Sequence, residues 1–277
     1  MGTVAVTGSA SGIGAAVTAR LAADGVRVVG VDRREAEVVA DLSTPDGRVA
    51  AVTGVLERCG DGLDGLVTCA GMGGLPDRAG SLLVEVNYFG TVEMLTGLRP
   101  ALAAGTSPAA VAIASNAATI QPGVPDGLVA ALLAGDRPTA RAQADEAGSV
   151  AAYAATKVAV ARWARRQATA GAWAGAGIRL NAVAPGMVAT PLVDEQRADA
   201  TMAPLLDALP IPLGRPARPE ELAAVVAFLL GDGASFLCGT VLLADGGSEA
   251  LLRPDAWPAP WDLTPDAAVS TFGVDPG

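Results

Sequence analysis

The chain has 277 residues, of which 51% are apolar, 17% charged and 4% aromatic, and it carries a net charge of −10. That length suits one large α/β domain or two small ones, and the apolar share is that of a folded protein rather than a disordered chain. No basic run is longer than Arg165-Arg166 and there is no histidine, which argues against a nucleic-acid partner and removes histidine triads and the usual zinc sites.

In chain order, short apolar runs alternate with helical stretches. The runs at 4–7, 27–31, 65–68, 110–114, 178–183 and 240–243 are predicted strands. The patterns at 12–24, 82–103, 150–170 and 219–230 are predicted helices. Strands alternating with helices imply βαβ units and a mostly parallel sheet. With so few aromatics, the core has to be built from small aliphatic side chains. Three regions break the rhythm. Residues 32–41 are too few for the helix that usually crosses over between strands. Residues 119–149 open on turn residues, contain a helix expected at Asp126–Ala134, and are long enough to be functional. Residues 253–277 are rich in proline and aspartate, and are either loosely ordered or anchored by Trp257 and Trp261. No stretch reaches the eighteen or so apolar residues of a membrane span. Cys59, Cys69 and Cys238 share no metal spacing. With no basic leader before the first strand, a cytoplasmic location with reduced thiols and no metal is expected.

The segment Gly8-Ser9-Ala10-Ser11-Gly12-Ile13-Gly14 follows the first strand and opens the first helix. Glycines there let the backbone approach a pyrophosphate, and the helix N-terminus faces that anion with its N–H groups. Asp32 ends the second strand, where a carboxylate accepts from both ribose hydroxyls of an adenosine and repels a 2′-phosphate. NAD is therefore expected over NADP, although the neighbouring Arg33 offers a guanidinium to that phosphate.

Tyr153 and Lys157 stand four residues apart, so on a helix they share a face. Lys157 is the only lysine, and Tyr153 is one of two tyrosines. A chain that meets every other basic position with arginine has kept a compact ammonium at one place. A phenol beside an ammonium and an oxidised nicotinamide is expected to shift toward phenolate, which makes Tyr153 the general acid/base. Ser115 ends the fifth strand, at the edge where ligands bind open α/β sheets, and can hold a substrate oxygen.

On these residues the chain resembles the classical short-chain dehydrogenases/reductases over roughly residues 1–253. Cys69-Ala70-Gly71 stands where the family has Asn-Ala-Gly. Asn87 matches the helix asparagine that helps a proton relay through Lys157 and water. Asn181-Ala182-Val183-Ala184-Pro185-Gly186 matches the sixth-strand motif, and Thr190 falls where the family contacts the nicotinamide amide. Asp41-Leu42-Ser43-Thr44, Val86-Asn87-Tyr88-Phe89-Gly90 and the 37 residues between Ser115 and Tyr153 resemble more closely the bacterial 3α-hydroxysteroid dehydrogenases/carbonyl reductases. Coniferyl-alcohol dehydrogenases are similar too. The resemblance implies a single α/β domain with a Rossmann-type doubly wound parallel sheet, an inserted helical segment at 119–149 and a Pro-rich extension at 254–277. It implies catalysis by Ser115, Tyr153, Lys157 and Asn87. It places NAD against Gly8, Ser11, Gly12, Ile13, Gly14, Asp32, Arg33, Asp41, Leu42, Cys69, Ala70, Gly71, Tyr153, Lys157, Pro185, Gly186, Val188 and Thr190.

The expected activity interconverts a small hydrophobic alcohol, steroid-like or aryl, with its carbonyl. A non-catalytic NAD-binding or sensing protein on the same fold is the alternative. The apolar residues Met187, Val188, Leu192, Val193, Met202, Leu205 and Leu206 form either a substrate lid or ordinary helix core. A folded 119–149 segment is expected to block the helix pair 82–103/150–170 that many members use to make tetramers. That would leave a homodimer through 219–244. The rival reading lays the segment over the active site and leaves a tetramer possible.

Overall fold

A computed structural model describes residues 2–264 and Ala267. β1 (Thr3–Thr7) leads into α1 (Gly12–Ala23), β2 (Arg27–Asp32), β3 (Val38–Val39) and α2 (Pro45–Leu56). β4 (Gly65–Thr68) is followed by α3 (Gly80–Leu83), a π-helical turn at Val84–Phe89, α4 (Gly90–Ala103) and β5 (Ala109–Ile113). Then come α5 (Ala117–Ile120), α6 (Asp126–Ala134), α7 (Arg137–Ala147), α8 (Ser149–Ala168) and β6 (Arg179–Pro185). α9 (Pro191–Ala198), α10 (Met202–Asp207), α11 (Pro219–Leu230), β7 (Val241–Ala244) and α12 (Ser248–Leu252) complete the described chain.

The seven strands form one parallel sheet in the order β3-β2-β1-β4-β5-β6-β7. β1 pairs with β2 on one side and β4 on the other. The chain therefore reverses its direction of travel across the sheet at β1/β4, and the crevice outside the carboxyl ends of those strands is where this architecture takes ligands. Both faces are covered. In β5, Ala110 and Ala112 join the core under α4 and α8, while Val111 and Ile113 join the core under α1 and α11. Small side chains on one face and branched ones on the other fill the sheet with almost no aromatics, as the composition required.

The predicted elements are present to within a few residues at their ends, with two differences besides a shortened link that is as expected. The expected missing crossover helix is indeed absent, and its five-residue link is closed by Glu35 in the left-handed region at φ 51°. The helix predicted at 82–103 begins at Gly80 and is interrupted by the π-helical turn. The segment 119–149 holds two long helices rather than one. α6 was legible because it buries Leu128, Val129 and Leu132. α7 buries only Ala140 and Ala144 and shows no apolar stripe. The two helices pack on α3, the π turn and α8. Residues 254–264 contain no helix or strand, and Trp257 and Trp261 are 75% and 61% exposed, so burial of the tryptophans does not anchor them. The rest of that extension, Ala267 apart, lies outside the described residues.

Gly80 is where the insertion sits closest to the main body. A Cβ there would run into the Ala144 carbonyl of α7. Backbone against backbone cannot yield as a side chain can, so Gly80→Ala is expected to cost about 3 kcal/mol. Gly175→Ala, with nothing within 4 Å of the added methyl, should change stability by less than about 0.5 kcal/mol. Urea denaturation of both variants checks this, and equal midpoints would refute the docking.

Candidate active site

The glycine loop is built by close approach. Gly8, at φ +68°, would place a Cβ 2.8 Å from the Ala70 nitrogen, and a Cβ on Gly14 would collide with the Gly8 carbonyl and sit 3.3 Å from Cys69 Cβ. Gly12, at φ +54°, faces the Thr190 methyl at 3.3 Å from the same hypothetical atom. Ser11 is extended at the N-cap of α1, and its side chain caps none of the first-turn N–H groups. Those donors and the bare glycine surface form a cradle that fits a pyrophosphate. At the end of β2, Asp32 Oδ2 accepts from Ala10 N at 3.1 Å, which brings its carboxylate against the loop. Arg33 is exposed and close enough to Asp41 to help hold that carboxyl below its ordinary range, where the Ser43 N–H bond holds it most. Leu42 is buried behind Asp41.

Cys69 stands where the family resemblance led one to expect asparagine, and the strand end here is tied by a neighbouring hydroxyl. The buried Thr7 hydroxyl accepts from Ala70 N at 3.1 Å and ties the end of β1 to the end of β4. Burial pushes the Cys69 thiol up to about 12, so it is a packing group and not a nucleophile. Across the sheet, Pro185 ends β6, Gly186 is backed by Asp245, and Val188 is buried beside Ala217. Thr190 caps the start of α9 and donates its hydroxyl to the Val188 carbonyl at 3.2 Å.

Ser115 lies two residues past β5 rather than closing it. It is buried, hydrogen-bonded to the Tyr153 phenol, and accepts from Ala117 N at 3.2 Å. One turn along α8, the buried Lys157 donates to the Ile113 carbonyl at 2.9 Å, and its Nζ is 5.8 Å from the centre of the Tyr153 ring. Asn87 is fully buried and clamps Met72 through both backbone groups, at 2.9 and 3.0 Å. Asn87 and Lys157 meet beside Gly71, 3.3 Å and 3.8 Å from where its Cβ would stand. The Asn87 amide that was expected to serve a proton relay is thus engaged in holding the loop after β4.

In the protein alone burial pushes the Tyr153 phenol up, and only the Ser115 hydrogen bond opposes it. Lys157 does not by itself make a phenolate. Burial instead pulls the lysine down to about 8. Sequence reasoning also missed the contacts that close α9 over this edge. Gln196 donates to the Gly74 carbonyl at 3.1 Å, and Arg78 pairs with Glu195 at 2.7 Å. These join residues more than 100 positions apart and carry no local signal. Of the seven apolar residues read as lid or core, Val188 and Met202 are buried, while Leu205 is 55% exposed and the others are partly exposed. The segment is thus only in part core.

Residues 2–125 match the short chain dehydrogenase family model, and residues 139–249 match the model described as enoyl-(acyl carrier protein) reductase. The chain belongs to the short-chain dehydrogenase/reductase family of oxidoreductases. It is 42% identical to the 3-alpha-hydroxysteroid dehydrogenase/carbonyl reductase of Comamonas testosteroni, over 92% of this chain and 99% of that one. A crystal structure of the 3-alpha-hydroxysteroid dehydrogenase from Pseudomonas sp. B-0831, complexed with NADH, superposes with a TM-score of 0.87 at 50% identity, covering 91% and 99% of the two chains. A galactitol 2-dehydrogenase of Cereibacter sphaeroides is 29% identical over 88% and 93%. Among the described residues no cluster could hold a metal ion, and no helix is long and apolar enough to cross a membrane.

Lys157 carries a stability consequence. Its folded value lies below the ordinary 10.5, at about 8, so keeping the proton in the fold costs on the order of 3 kcal/mol below pH 8. The cost shrinks as pH rises from about 8 toward 10.5, where the unfolded chain also loses the proton. Lys157→Met should therefore melt higher than the parent at pH 7, and the gap should narrow at pH 9 to 10. A variant less stable than the parent at pH 7, or a gap that widens with pH, would refute this.

Proposed function

We propose that the chain is an NAD-dependent oxidoreductase that interconverts a hydrophobic alcohol, hydroxysteroid-like or aryl, with its carbonyl, and that Tyr153 is the general acid/base. The observation that carries this reading is the Tyr153–Ser115 hydrogen bond with the Lys157 ammonium one helical turn away, all at the carboxyl edge beside the glycine cradle. The partly exposed apolar surface of α9 and α10, and the steroid substrates named for two relatives, support a bulky apolar substrate.

Bound NAD supplies the hydride acceptor. Ser115 holds the substrate oxygen, and Tyr153 takes the hydroxyl proton as the carbon is oxidised, or returns it when the carbonyl is reduced. A phenol that burial keeps protonated is suited to the acid role. Drawing it toward phenolate for oxidation needs a second positive charge besides Lys157. The buried ammonium, one turn from the phenol, would hold the nicotinamide side of the bound coenzyme. Asn87, through Met72, sets the loop that faces both, and a relay through Lys157 remains part of the proposal. Asp32 would accept from the adenosine ribose and disfavour a 2′-phosphate. A homodimer that leaves α4 and α8 unpaired, in the cytoplasm, belongs to the same reading, because α6 and α7 occupy ground on α8.

The test is NADH formation with a panel of hydroxysteroids and aryl alcohols. NAD should outperform NADP by more than about tenfold in kcat/KM, and Asp32→Ala should narrow that ratio. Tyr153→Phe should lose turnover while still binding NADH. Binding of NADH without turnover on any alcohol in the panel would favour the non-catalytic alternative. Substantial activity in Tyr153→Phe would reassign the base.

A further inference from the structure

Arg48 on α2 is 1% exposed, yet it carries a full charge. Nη1 donates to the Leu42 carbonyl at 2.9 Å and meets Glu85 at 3.0 Å, while Nε meets Glu93 at 2.6 Å. Glu85 is held in turn by Arg137 at 2.7 Å and Arg141 at 2.9 Å, both on α7, and Arg137 also pairs with Glu93 and lies 4.1 Å over the Phe89 ring. Arg48 Nη2 is buried with no hydrogen-bond partner among the described residues. Burying such a group is expensive, and an apolar side chain of similar volume would fill the space at lower cost. The group therefore calls for a role other than stability.

An apolar side chain would lose both ion pairs and the bond to Leu42, but Arg137 and Arg141 would still hold Glu85 and Arg137 would still hold Glu93, so the contact left with no substitute is the one to Leu42. That residue belongs to the turn 41–44, which follows β3, and β3 pairs its Val39 with Asp32. The turn is thus one strand beyond Asp32 on the same carboxyl edge. It is rigid within itself, since Asp41 accepts from Ser43 N at 2.9 Å and Thr44 Oγ1 accepts from Gly47 N at 3.0 Å. It is also packed hard against its neighbour, because a Cβ on Gly90 would lie 3.3 Å from Leu42 Cβ. The Ala40 N–H, donating to the Asp32 carbonyl at 2.8 Å, fixes where the turn begins, and the guanidinium behind it holds its far side at Leu42. The anchor of that guanidinium, Glu85, sits two residues from Asn87 in the π-helical turn.

We propose that Arg48 is a positioning residue for the adenosine half of the coenzyme. It holds the 41–42 turn as a wall beside Asp32, and the ion cluster shared with the inserted α7 keeps it in place. The proposal rests on the reading that NAD occupies this edge.

The experiment measures binding of AMP and of NADH by calorimetry, alongside steady-state kinetics, for the parent, Arg48→Met and Arg48→Lys. Arg48→Met is expected to weaken both AMP and NADH by at least tenfold. In kinetics the loss should fall on the KM for NAD rather than on kcat or the KM for the alcohol. A purely structural defect would instead lower the active fraction and leave affinities unchanged. Arg48→Lys keeps the charge but cannot reach Leu42, Glu85 and Glu93 together, so an intermediate loss is expected, and this variant decides the matter if Arg48→Met does not fold. AMP affinity within twofold of the parent in a folded variant overturns the role of Arg48 alone. A parent protein that binds neither AMP nor NADH overturns the coenzyme reading, and this proposal with it.

Discussion

The site depends on one buried cation. Lys157 is enclosed by α8, the end of β5 and the loop after β4, and it is satisfied by a single carbonyl, that of Ile113. A charged group so placed is unfavourable for the fold, which is why its proton is held less tightly than usual. The surrounding structure is arranged to keep it there. α8 carries it with Tyr153 one turn earlier, β5 presents the carbonyl, and Asn87 fixes the Gly71 loop that closes the other side.

That arrangement explains the division between the two halves of the sheet. On the β1–β2–β3 side, close backbone approach at Gly8, Gly12 and Gly14 and the carboxylate of Asp32 shape a surface for a dinucleotide. On the β4–β5–β6 side, Ser115 past the end of β5 meets Tyr153 and Lys157 of α8, the groups proposed for proton handling and substrate contact. Thr7 joins the halves by accepting from the Ala70 N–H. The insertion joins them again from behind, through the charge cluster around Arg48 and Glu85.

The local features were readable in the sequence. Tyr153 and Lys157 are an i, i+4 pair whose geometry follows from any helix, and the glycine loop announces itself by spacing between a strand and a helix. The parallel sheet followed from alternation alone, and the shortened link at 32–41 from counting residues. The π-helical turn at Val84–Phe89 was not readable, because its apolar pattern is that of a continuous α-helix. α7 was not readable as a separate helix because its contact with the body is made by alanines, Arg137 and Arg141 rather than by an apolar stripe. The upward pull of burial on the Tyr153 phenol in the protein alone was not readable, because desolvation depends on the packing of distant segments, whereas the neighbouring charge is visible in four residues of sequence.

The central claim is that the site requires a compact ammonium, and that the chain has kept its only lysine for this purpose. Arginine preserves the charge but adds a planar fork too wide for the space beside Ile113 and Gly71. The most direct measurement is the turnover of Lys157→Arg with its fold verified by circular dichroism. The account predicts a loss of about 100-fold or more in kcat, with secondary structure unchanged. Turnover within a few-fold of the parent would contradict it.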